Sequence, residues 1–126
     1  MAYDPALIAR LRAALGGVEP LTEKRMMGGA CLMWGQHMLC GADVPNGGMP
    51  RFLFRVGPAG MDAALAQPGT SRMEMGRRAM TGYVFADAAA LDDAALRAML
   101  DLARSFVATL GDKPPRKPRR RAVKAG

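Results

Sequence analysis

Chemistry in this chain would have to come from very few residues. The one histidine, His37, and the two cysteines, Cys31 and Cys40, all fall within residues 26–41, MMGGACLMWGQHMLCG. Two apolar runs there flank Gly35-Gln36, and glycine at the first central position of a two-residue turn accepts the positive φ that a tight hairpin needs. Folded about that turn, Trp34 faces His37, Met33 faces Met38, Leu32 faces Leu39 and Cys31 faces Cys40. Non-hydrogen-bonded cross-strand residues have Cα atoms about 4.5 Å apart, at the short end of disulfide geometry. Two readings of Cys31 and Cys40 follow: a redox pair, or two reduced thiols packed as small hydrophobes.

Other reactions lack their residues. His37, beside a turn, reads as a solvated surface side chain. Two cysteines with one histidine between them on the opposite strand face make no zinc pattern. No G-x-G-x-x-G, P-loop or H-E-x-x-H occurs. Asp92 and Asp93 read as helix caps, while Asp43 and Asp62 are isolated, so no acid–base pair is assembled. The expectation is a protein that is not an enzyme and holds no cofactor or metal.

The formal net charge of +7 is unevenly placed. Residues 112–126 carry seven of the 18 basic residues and one of the 11 acids, which leaves 11 bases against 10 acids in residues 1–111. The body is nearly neutral and the tail is basic. Arg116, Lys117, Arg119, Arg120, Arg121 and Lys124 are the candidates for non-specific nucleic-acid contact, since phosphate binding needs clustered cations. Three prolines and no apolar period mark that tail as disordered, so residues 1–111 are expected to be the domain and 112–126 an appendage.

The surrounding elements must position the hairpin. Asp4 and Pro5 start a helix whose Leu7, Ile8, Leu11 and Leu15 recur at helical spacing until Gly16-Gly17. After the hairpin, a turn-rich loop over residues 43–50 leads to the strand RFLFRV at 51–56. A short helix follows from Gly57-Pro58 to about Ala66. Strands are expected at 71–75 and 82–86, with Tyr83 and Phe85 on one face. Asp92 caps the last helix, Leu91 and Leu96 form its hydrophobic staple, and Leu96, Met99, Leu100, Ala103, Val107 and Leu110 make its apolar stripe. The pattern predicts an α+β two-layer sandwich: a mainly antiparallel five-stranded sheet with helices on one face, in the order α-β-β-β-α-β-β-α. The 11 methionines are expected mainly as core filling. No apolar run spans a bilayer and the N-terminus is not a signal peptide, which places the chain in the cytoplasm.

Five ordered pieces carry a resemblance across residues 7–110. They are KRMMGGACLMWGQHMLCG, FLFRVGP, PGTSRMEM, MTGYVFAD and LRAMLDLARSFVATL. Together they resemble the TfoX/Sxy family N-terminal domain, in its stand-alone single-domain form. The resemblance implies a fold similar to the type III secretion chaperones. It also implies a regulator or adaptor that acts through an unidentified protein partner; family members linked to natural competence carry a second, helical domain, where this chain has its basic tail. Two further associations are expected as alternatives: non-specific nucleic acid through the tail, and a homodimer through a sheet edge.

Overall fold

Phe52 and Phe54 lie two residues apart on one strand, so both side chains enter the same side of the sheet. They are fully buried, with ring centroids 6.0 Å apart and planes tilted by 54°. The computed structural model describes residues 5–16, 21–26, 29–45, 48–75 and 78–110. Among these, the chain forms α1 (Pro5–Leu15), β1 (Leu21–Met26), β2 (Gly29–Trp34), β3 (His37–Asp43), β4 (Arg51–Arg55), α2 (Met61–Leu65), β5 (Thr70–Met75), β6 (Arg78–Asp87) and α3 (Asp93–Leu110). The strands make one antiparallel sheet in the order β1-β2-β3-β4-β6-β5.

The sheet thus has six strands and not five. The additional one is β1, LTEKRM, where Glu23, Lys24 and Arg25 in succession hide any alternation of apolar and polar residues. It is an edge strand paired only with β2, and Thr22, Lys24 and Arg25 are exposed. Charge is tolerated there because an edge strand buries little and must resist pairing with other chains.

All three helices contribute to a single core. Ile8, Leu11 and Leu15 of α1, Met61 and Ala64 of α2, and Leu96, Met99, Leu100, Ala103 and Val107 of α3 pack with Leu32, Cys40, Phe52, Phe54, Val84 and Ala86 of the sheet. The sheet residues of β4 and β6 in that cluster are alternate ones, so the helices lie on one face. Asp92 caps α3 as expected, its Oδ1 accepting from the Ala95 amide at 2.8 Å. Asp4 and the tail from residue 111 lie outside the described residues.

Arg10 fastens α1 to the start of α3. Its guanidinium donates to the carbonyls of Ala88 (3.0 Å) and Leu91, lies 3.7 Å from the Asp93 carboxylate, and sits 5.6 Å from the Phe52 ring centroid. Those carbonyls open and close the short 3-10 turn Ala88–Ala90, Leu91 being its C-cap, and one multi-donor side chain satisfies both.

Candidate functional site on the open face of the sheet

The hairpin that holds the reactive residues is built with one irregularity. Gly35 has φ 66° at the turn, and Trp34 pairs with His37 and Met33 with Met38 as expected. Between Leu32 and Met33 the register shifts, so Leu32 pairs with Cys40 and Cys31 with Gly41. A bulge of this kind sets two residues of one strand against one of the other. Here Leu39 and Cys40 both enter the core cluster beside Leu32.

Cys31 and Cys40 therefore do not face each other, contrary to the sequence expectation. Cys40 is fully buried among core side chains, whereas Cys31 lines the opposite, helix-free face. Both are thiols. Burial, and then the proximity of Cys31, push the Cys40 thiol far above its ordinary value. Burial also raises Cys31, against a smaller downward pull from Lys24, its register partner on β1. His37 departs from expectation too: it is 7% exposed, because it lies across from Trp34 and not out in solvent.

The helix-free face is concave and apolar. A cavity of about 450 Å³ runs across β2, β3, β4, β5 and β6, with Cys31 and Gly41 at one side and Met38, Leu53, Met73, Met80, Tyr83 and Phe85 around it. Gly41 matters by what it lacks. A Cβ there would meet the Ala30 carbonyl at 2.9 Å and the Cys31 Cβ at 3.1 Å, so glycine lets the strands close and leaves the space over Cys31 open. Gly29 works similarly, since its Cβ would collide with Asp43 and the Ala42 carbonyl.

A polar clamp sets the rim. Asp43 and Arg51 pair in register across β3 and β4, with the Arg51 Nε donating to Oδ1 at 2.8 Å and a terminal nitrogen to Oδ2 at 3.2 Å. The Arg51 guanidinium also stacks on Phe85, 3.7 Å from the ring centroid. A two-point ion pair held flat on an aromatic ring is a fixed feature of the surface. Its signal in the sequence is two opposite charges bracketing a turn-rich loop between strands. Met33, Met38, Met73 and Met80 also lie outside the core cluster, while Met61 and Met99 belong to it. Core filling accounts for only part of the described methionines.

Among the described residues, no group of three or more His, Cys, Asp or Glu side chains is placed to hold a metal ion. No helix among them is long and apolar enough to cross a membrane. The six candidate nucleic-acid residues, Arg116, Lys117, Arg119, Arg120, Arg121 and Lys124, lie outside the described residues. With that geometry in view, one comparison is decisive. The family model for the TfoX N-terminal domain matches residues 13–107. The chain belongs to the TfoX N-terminal domain family. The match runs from within α1 into the last turns of α3, so it includes every strand and the whole concave face. No match was found among curated proteins or among solved structures. As a TfoX N-terminal domain, the chain has its candidate surface on a family scaffold and not on an appended segment.

Proposed function

We propose that this protein is a non-enzymatic regulator or adaptor that acts through protein contacts made on the concave face of its sheet. One observation carries the reading. Three helices cover one face of the sheet, while the other presents a cavity of about 450 Å³ lined chiefly by apolar side chains. Concave apolar surface of this kind, half-buried at Met38, Leu53, Met80, Tyr83 and Phe85, suits a partner, because burying it further removes water from both sides. The occupant we infer is an apolar segment of a partner protein. Flexible methionines adapt to such a segment, and the Arg51–Asp43 clamp gives it an orientation. Glu74, exposed at the rim, favours a segment that also carries a cation. A cytoplasmic setting suits a chain whose two thiols lie on different faces of the sheet.

The test is nuclease-treated affinity capture from the native host with wild-type protein and with Phe85→Asp. The reading requires a discrete protein that survives nuclease and is lost with Phe85→Asp while Asp101→Lys, on the exposed side of α3, retains it. Equal capture by all three proteins would contradict it.

A second reading rests on the charge of residues 112–126, seven cations against one acid. Through them the protein would associate with nucleic acid without base preference. Deleting residues 113–126 would then abolish binding at low salt and leave the melting temperature unchanged. Seven cations limit the slope of log affinity against log salt to about −6 on duplex DNA. Binding that survives the deletion would place the contact on the body instead.

A further inference from the structure

We propose that Cys31, Met33 and Met38 form a binding site for a soft monovalent cation, of which cuprous ion is the biological example. The three side chains share the helix-free face, because Cys31 and Met33 are two apart on β2 and Met38 is the register partner of Met33 on β3. The Cys31 Sγ lies 3.9 Å from the Met33 Sδ, the thiol donating to the thioether. Three sulfurs bound in a plane at about 2.3 Å from a common ion lie about 4.0 Å from one another, so this pair already has the spacing of two shared ligands. Directly opposed residues on antiparallel strands hold their Cβ atoms about 4.5–5.5 Å apart, and the three rotors of methionine bring the third sulfur over that distance.

The chemistry selects the ion. Thiolate and thioether donors prefer cuprous ion, whereas zinc and the harder divalent ions prefer nitrogen, oxygen or several thiolates. Gly41 presents no side chain opposite Cys31, and the cavity above it gives an ion a route in. Lys24 faces Cys31 in register from β1, so a cation-bearing strand and not a further sulfur closes the other side of the site. Binding exchanges one proton for one cation: the S–H bond breaks, an S–Cu bond forms, the proton leaves to solvent and no electron moves.

The experiment titrates the full chain with cuprous ion under anaerobic reducing conditions against a chromogenic cuprous chelator. Wild type retains one ion per chain, Cys31→Ala retains none, and Met33→Leu or Met38→Leu weakens retention by about tenfold or more. Met49→Leu, at an exposed methionine outside the strands, binds as wild type. The methionine variants conserve volume, so they test the site even if Cys31→Ala does not fold. Failure of wild type to retain the ion overturns the proposal. So does unchanged retention by both Met33→Leu and Met38→Leu, which would mean a simple thiol adduct.

Discussion

Cys31 lies opposite Gly41, and that single register relationship separates the two thiols of the hairpin. The bulge after Leu32 turns Cys40 into the core and leaves Cys31 on the helix-free face. An oxidant acting on the native protein should therefore produce no intramolecular disulfide. Intact mass before and after oxidation checks this, and loss of two hydrogens with both thiols consumed would contradict the register.

The buried Cys40 thiol also gives stability a direction with pH. Its folded value is raised by burial, so the protonated form is favoured in the folded state. That contribution is fully present below the unfolded thiol value of about 8.5 and is lost as the pH rises above it. The melting temperature should fall across the alkaline range more steeply for wild type than for Cys40→Ala. Parallel curves would mean that Cys40 is not buried as described.

Gly57 and Phe106 are in closer contact than any side chain at 57 would allow. Gly57 has φ 78°, and a Cβ there would stand 2.2 Å from the Phe106 ring. Its amide and that of Val56 both donate to the Gly82 carbonyl, which fixes this corner beneath α3. Gly35 has a similar φ of 66° but open space around it. Gly35→Ala should therefore cost about 1 kcal/mol from backbone strain, and Gly57→Ala about 2–4 kcal/mol from strain together with overpacking. Equal losses in denaturant titrations would show that the Phe106 contact is not tight.

Arg10 ties two backbone carbonyls that an ion pair alone would not hold. Its donors satisfy the Ala88 and Leu91 carbonyls, and a lysine has neither the planar fork nor the reach to meet both. Arg10→Lys should cost about 1–2 kcal/mol, allowing for partial exposure. Asp93, whose side chain is 85% exposed, should tolerate Asn within about 0.5 kcal/mol. Comparable losses for both variants would assign the effect to the ion pair and not to the carbonyls.

Much of this fold is legible in the residues because local signals agree with one another. The α3 stripe, its Asp92 cap and the Leu91–Leu96 staple all specify the same helix, and Phe52 and Phe54 specify the buried face of β4. What escapes is set by partners distant in the chain. β1 is charged throughout its middle, and only its pairing with β2 makes it a strand. The bulge in the hairpin has no local cue, because turn chemistry fixes the register only near Gly35, and a slip beyond Met33 moves Cys40 to the other face. Tyr83 and Phe85 are legible as sharing one face of their strand, but nothing local marks that face as the concave, helix-free one. Its depth depends on Gly41 and on the crossing of β6 between β4 and β5, which no local pattern encodes.

We place the proposed partner on the helix-free face of the sheet. Photo-crosslinking in the native host tests it most directly, with a photoreactive residue placed at Leu53 in the cavity or at Arg97 on the exposed side of α3. A protein partner should crosslink from position 53 and not from position 97, and Glu74→Lys should reduce its yield. Crosslinking from position 97 alone, or equal yields from both positions, would contradict the account.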